Sequence, residues 1–218
     1  MSSTAPTRRS RAKLDAIHAA SQDLFLRFGF ADTSMDAIAL AANVSKQTLY
    51  RYYESKEALF VAVLERLALD HLSASALLTA RETPMNSRAT LEQALTRWAE
   101  LSIAQILQPT YVGLVRLLVA ELPRFPDLGA RFFHAVPQQG SAFLKALMVS
   151  ARSHGVIVVD DLDLAIQLLI GPLLAYLFSQ GLLAAEAVRR PPTPEQIAAL
   201  VRLALDGIAA DRARQEPC

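Results

Sequence analysis

The apolar residues of this chain recur at intervals of three and four, the spacing of one helix face, rather than in the alternation of a half-buried strand. Leu14, Ile17, Leu24, Phe25 and Phe28 form the first such stripe. Gly29 follows, and glycine supplies the left-handed backbone that stops a helix. Thr33 and Ser34 announce a short second helix, with Asp36 in the capping-box position after Thr33 and Met35, Ile38, Ala39 and Ala42 as its buried stripe. Asn43 stands where the chain must turn, and asparagine tolerates left-handed geometry better than most residues. Ser45 is placed to cap a third helix running from Lys46 to about Tyr53. Ser55 caps a fourth, with Glu57 in the first turn, where an acid suits the helix dipole.

The remainder reads as helix after helix, separated by breakers. Loops are expected at Thr83 to Ser87, around Pro109, around Pro123 to Pro126, around Pro137 and at His154-Gly155. Asp160, Asp161 and Asp163 crowd the start of a strongly apolar helix beginning near Leu164. After a break at Arg189 to Pro192, Thr193-Pro194-Glu195-Gln196 carries a cap, a proline at the first helical position and a closing glutamine. The last helix puts Ile197, Leu200, Val201, Ala204, Leu205 and Ile208 on one face. Val156 to Val159 could form a short strand, but it has no second strand to pair with. The chain has 52% hydrophobic residues, 20% charged residues and only 8 Gly in 218 positions. Those proportions support a real core and exclude disorder as its main character. The expected fold class is all-α.

Several function classes find nothing to stand on. The one cysteine, Cys218, leaves no intramolecular disulfide and no cysteine-based zinc site, and accords with a reducing, cytoplasmic setting. Met1 to Arg11 carries no apolar run behind its charges, so no secretory signal is expected. His18, His71, His134 and His154 lack ligand spacing, so no metal is expected. There is no glycine-rich phosphate loop, nucleophile elbow or His-Glu-x-x-His pattern. The chain therefore reads as non-enzymatic, without catalytic residues or a cofactor. Leu164 to Ala185 is long enough to span a membrane, but Gln167, Pro172, Gln180 and Gly181 interrupt it. A bundle helix or a subunit interface is the expectation there, and no membrane.

Net charge is +1, yet residues 1–56 carry +3 against −2 in the rest, which hints at a polyanion partner for the first quarter. Three short helices within the first 55 residues, with a four-residue turn between the second and third, match a helix-turn-helix. Such a motif needs polar and aromatic groups at the start of its third helix, where they can enter a major groove. Lys46, Gln47, Thr48, Tyr50 and Tyr52 supply them, while Leu49 faces inward onto Ile38 and Val44. Thr33 and Ser34, at a helix N-terminus, and Lys56, at the start of the fourth helix, are candidate phosphate contacts.

The stretch Thr33-Ser34-Met35-Asp36-Ala37-Ile38-Ala39, with Val44 to Tyr53 and Ser55-Lys56-Glu57-Ala58-Leu59-Phe60, closely resembles the tetracycline-repressor (TetR) family, with an AcrR-like N-terminal domain. The resemblance covers about residues 10–65. Asn43 stands where the family usually has glycine. Arg116 to Leu128 and Gly171-Pro172-Leu173-Leu174 look like parts of the family's helical ligand-binding domain. The resemblance implies an N-terminal helix-turn-helix domain, 1–56, with residues 1–10 as a flexible basic arm. A larger helical effector-binding and dimerisation domain, 57–218, follows.

It also implies a homodimeric regulator, usually a repressor, on a pseudo-palindromic double-stranded DNA operator. DNA contacts carry over to Thr33, Ser34, Lys46, Gln47, Thr48, Tyr50, Tyr52 and Lys56, and the arm's Arg8, Arg9 and Arg11 can add more. The dimer helices would be about 162–183 and 195–212. Candidate effector contacts, chosen by residue type in the middle helices, are Trp98, Tyr111, Arg116, Glu121, His134, Phe143 and Tyr176, and the Leu, Ala and Val content leans toward a small hydrophobic effector. The alternative is a helical small-molecule or lipid carrier whose DNA-binding head is silent.

Overall fold

A computed structural model describes residues 8–69, 82–183 and 190–210. Among these residues every regular element is helical. The helices are α1 (Arg8–Asp32), α2 (Met35–Ala41), α3 (Lys46–Tyr52), α4 (Lys56–Leu69), α5 (Arg88–Ile106), α6 (Pro109–Glu121), α7 (Pro126–Ser153), α8 (Leu162–Tyr176) and α9 (Pro194–Ala210), with α8 prolonged by a π-helical segment, Leu177–Leu182. They pack as two compact units, Met1–Leu67 with Gly113–Ala135, and Ala68–Val112 with Val136–Cys218. The first unit thus runs past the expected boundary at residue 56 and takes in the end of α6 and the start of α7. Residues 1–7 of the expected arm, His71, Arg189 and Cys218 lie outside the described residues, whereas residues 8–10 are the first turn of α1 rather than an arm.

The first unit is organised by the way α1 ends. Gly29 sits at φ 82° and ψ 171°, a conformation open essentially to glycine alone, and the helix resumes beyond it to Asp32. The bend corrects the expected stripe. Ile17 and Phe25 are buried, but Phe28 is 54% exposed, under the Arg27 guanidinium, and Phe30 takes its place inside at 0%. The Phe30 ring lies 5.8 Å from Phe25, 5.2 Å from Phe60 and 5.2 Å from Phe125, centroid to centroid. Aromatic pairs at such separations are each worth about 0.5–1.5 kcal/mol beyond the area they bury.

A helix end leaves carbonyls without intrahelical partners. Here the Thr33 hydroxyl donates to Gly29 O at 2.7 Å and to Leu24 O at 3.2 Å. Thr33 is thereby spent on α1, and the cap of α2 shifts by one residue to Ser34, whose Oγ accepts from Ala37 N at 3.1 Å. With alanine three residues beyond the cap, the expected box with Asp36 does not form. Met35, Ile38, Ala39 and Ala42 are all buried, as their spacing predicts.

The turn into α3 is closed by Asn43 at φ 52°, with Asn43 N–H donating to Leu40 O and Val44 N–H to Ala39 O. That pair of bonds is the Schellman arrangement, which needs a left-handed residue at this position. Ser45 then caps α3 by accepting from Thr48 N–H, and Ser55 caps α4 by accepting from Ala58 N–H.

In the second unit, α5, α8, α9 and the C-terminal half of α7 share one apolar core, with Leu91, Leu95 and Trp98 on α5, Leu144 and Met148 on α7, Ile166 and Leu169 on α8, and Val201 and Leu205 on α9. Asp161 caps α8 by accepting from Asp163 and Leu164 N–H. Thr193 and Gln196 close a reciprocal box at the start of α9, at 3.3 and 2.9 Å. Arg202 pairs with Glu92, and Arg88 with Asp206, across α5 and α9.

Two expectations fail in this part of the chain. The break around Pro137 is absent, because α7 continues through it as a 28-residue helix. A proline forfeits one N–H, but a long helix held by packing on both sides absorbs that loss. Residues 156–159 form no strand, since none of the described residues offers them an edge.

Leu162–Leu182 is long and apolar enough to cross a membrane. One face of it, Ala165, Ile166, Leu169 and Leu173, is core, while Leu164, Leu168, Leu174 and Phe178 are exposed. In its π-helical part a Cβ on Gly181 would come within 3.1 Å of a Leu177 methyl and 3.3 Å of a Val112 methyl, so a side chain there would have to displace those groups by a few tenths of an ångström.

Gly29→Ala would force a Cβ-bearing residue into a glycine-only conformation without adding any clash of volume. The expected loss of stability is about 1–3 kcal/mol, read as a lower thermal midpoint with unchanged helix content in the folded baseline. An unchanged midpoint would show that the end of α1 relaxes freely.

Candidate nucleic-acid interface

The α2–turn–α3 unit is a helix-turn-helix. Leu49, at 0% exposure, anchors α3 inward, and the opposite side of that helix carries its polar surface. Ser34, Lys46, Gln47 and Tyr50 are exposed, with Tyr50 at 45%. Thr48 is half-buried, its hydroxyl in a 2.8 Å hydrogen bond with that of Ser45. Tyr52 is half-buried as well, its phenol 2.8 Å from the Ser10 hydroxyl, a bond that lowers the phenol's pKa from its ordinary value. Tyr53 turns inward to hydrogen-bond His18, and burial raises its pKa.

Lys46 is held in an exposed ion pair. Its Nζ lies 2.8 Å from Asp36 Oδ1 and 3.0 Å from Oδ2, and that hydrogen bond and charge raise the lysine pKa. From sequence alone Asp36 reads only as a capping residue. Arg51, whose spacing gave no sign of a role, is an exposed cation 5.3 Å from the Tyr52 ring on the last turn of α3.

Two expected phosphate contacts have other work. Thr33 is 3% exposed and its hydroxyl serves the end of α1, so its side chain is closed to a ligand. Lys56 is half-buried, and its Nζ donates to Phe30 O at 2.6 Å and Ala31 O at 3.0 Å while lying 4.5 Å from the centre of the Phe30 ring. A cation on the last carbonyls of a helix completes that helix. Burial pulls the Lys56 ammonium below its ordinary pKa, opposed by Glu57, Glu121 and Asp32.

The candidate effector residues divide between the units. Arg116, Glu121 and His134 belong to the first, and Trp98, Tyr111, Phe143 and Tyr176 to the second. Arg116 and His134 are exposed, and Glu121 and Tyr176 are half-buried. Tyr111 is buried at 2% exposure, its phenol pKa raised by desolvation, and Phe143 is buried at 8%. Trp98 lines an apolar gap of about 10 Å³ between α5, α8 and α9, with Ile103, Leu169, Leu173, Ile197 and Val201. That is room for roughly one water molecule.

The fold and the exposed edge of α3 define a helix-turn-helix protein with a separate all-helical body. Residues 17–63 match the model for bacterial regulatory proteins of the tetR family, and residues 93–210 match the model for the C-terminal domain of AefR-like transcriptional repressors. The chain belongs to the TetR family of regulators. RutR, an HTH-type transcriptional regulator of Escherichia coli strain K12, is 48% identical over 63 residues, which span 28% of this chain and 30% of RutR. The solved structure of the flavonoid-responsive regulator FrrA superposes with a TM-score of 0.64 at 32% identity, over 91% of this chain and 96% of that one. A TetR-family regulator of Mesorhizobium loti MAFF303099 shares the fold, with a TM-score of 0.68 at 24% identity over 94% and 98% of the two chains.

Lys56→Met keeps the aliphatic stem but removes the donor from two carbonyls of α1. It is expected to lower stability by about 1.5–3 kcal/mol, the range for hydrogen bonds to a charged group, in denaturant unfolding. A variant as stable as the parent would return Lys56 to the list of free cations.

Proposed function

We propose that this protein is a homodimeric transcriptional regulator, most simply a repressor, which leaves a pseudo-palindromic DNA operator when a small hydrophobic effector binds. The observation that carries the reading is the exposed edge of α3. Lys46, Gln47 and Tyr50 stand outward on a helix whose Leu49 is fully buried, so a rigid element presents groups able to contact base edges and phosphates. Ser34 joins them from α2, and Thr48 and Tyr52 lie on the same helix with hydroxyls that can exchange partners. Thr33 and Lys56 enter as supports of that surface. Arg8, Arg9 and Arg11 would add phosphate contacts, and work on the chromosome would place the protein in the cytoplasm.

The dimer is supported by the outward face of α8. Leu164, Leu168, Leu174 and Phe178 are 48–58% exposed along one side of a helix whose other side is core, an apolar strip that a second copy would cover. The effector side is supported by FrrA, which responds to flavonoids and is similar along nearly its whole length. An effector acts only if it binds the released conformation better than the operator-bound one.

Selection from random duplex DNA with ligand-free protein tests this reading. It is expected to enrich a two-fold symmetric site whose half-sites lie about one helical turn apart, roughly 34–36 Å. Tyr50→Ala should weaken binding to that site by about 1–3 kcal/mol while affecting mixed-sequence duplex less. Trp98 is the single tryptophan, so its fluorescence reports effectors directly. Quenching by a flavonoid with release of the selected DNA would support the effector class. Ligand binding without sequence-selective DNA binding, with or without ligand, would favour the carrier with a silent head.

A further inference from the structure

We infer that Asp36 is a specificity-determining residue of the DNA-reading surface, acting by holding Lys46 back from indiscriminate phosphate contacts. The inference rests on the DNA-binding reading above and goes beyond it.

Both oxygens of the Asp36 carboxylate lie within 3.0 Å of Lys46 Nζ, and both side chains are open to solvent, at 65% and 60% exposure. Asp36 lies in the first turn of α2 and Lys46 is the first residue of α3, so the pair joins the two helices of the motif at their starts. The free protein therefore presents a neutral couple there instead of a bare cation.

An exposed ion pair is weak and exchanges readily with another anion. When DNA approaches, a phosphate competes with Asp36 for the same ammonium. A phosphate takes the ammonium only by breaking the pair, and that cost weakens every binding mode made of phosphate contacts alone. Where base edges match, the balance changes. A guanine O6 and N7 accept from the ammonium, and a cytosine N4 amino group donates to the carboxylate. Discrimination then comes from a pair that phosphate must break and that a fitting base pair can satisfy on both sides, the general device of specificity by opposition.

The test measures affinity for a mixed-sequence duplex as a function of salt, in full-length protein, for the parent, Asp36→Asn, Asp36→Glu, Lys46→Gln and the double variant Asp36→Asn/Lys46→Gln. Asp36→Asn is expected to bind this duplex about fivefold more tightly at low salt, the effect of one charge at contact distance in water. Its slope of log affinity against log salt should steepen by about one ion. Asp36→Glu, which keeps the carboxylate, should behave as the parent. In the Lys46→Gln background the Asn substitution should change affinity and slope much less.

Circular dichroism and thermal midpoints of each variant separate misfolding from altered binding. Unchanged affinity and slope in a folded Asp36→Asn would overturn the inference. So would the same gain with and without Lys46, since Asp36 would then act by its own charge alone. No retention of duplex by the folded parent at low salt would instead overturn the DNA-binding reading itself, and this inference with it.

Discussion

The end of α1 is the constraint on which the reading surface depends. A long helix has to stop and turn so that a short second helix can pack beneath a third, and its last carbonyls have to find donors inside a small domain. Gly29 supplies the turn, Thr33 and Lys56 supply the donors, and Phe30 carries the bend into an aromatic cluster with Phe25, Phe60 and Phe125. Each piece comes from a different part of the chain: the helix itself, the start of α2, the start of α4, and the turn between α6 and α7. The position of α3 is inherited from this junction, because α2 begins where α1 ends and α3 is anchored on α2 by Leu49 and the Asn43 turn.

The first unit includes Gly113–Ala135, and this matters for how such a head is built. Phe125 meets Phe30, and Arg131 reaches Glu54 at 3.2 Å in the loop between α3 and α4. A Cβ at Gly113 would come within 2.8 Å of a Leu26 methyl, so the Leu26 side chain of α1 lies directly on the α6 backbone there. A segment distant in sequence thus braces the helix-turn-helix from behind, leaving the outer edge of α3 free of packing duties.

Much of this was legible from residue order. The caps at Ser45, Ser55 and Thr193, the left-handed Asn43 and the α2 stripe are local signals, set by residues within a few positions of one another, and each appears in the structure as read. What could not be read depends on contacts across the chain. Phe28 and Phe30 are equally apolar, and only the bend at Gly29 decides which of them enters the core. Thr33 and Lys56 have the chemistry of phosphate ligands, but so has any donor needed by an orphaned carbonyl, and the claim of α1 on them arises from packing over 4 to 26 residues. Asp36 looked like a cap because a box pattern was present, yet the cap had moved to Ser34. The candidate effector contacts were the least legible part, since apolar core and apolar pocket share one composition and the described gap beside Trp98 is no larger than a water.

The exposed edge of α3 is proposed to read DNA as one of a symmetric pair. Hydroxyl-radical footprinting on a duplex carrying a selected site tests it most directly. Two protected patches related by a two-fold axis and centred about one helical turn apart are expected, with Tyr50→Ala erasing both together. A single protected patch, or protection that Tyr50→Ala leaves intact, would contradict it.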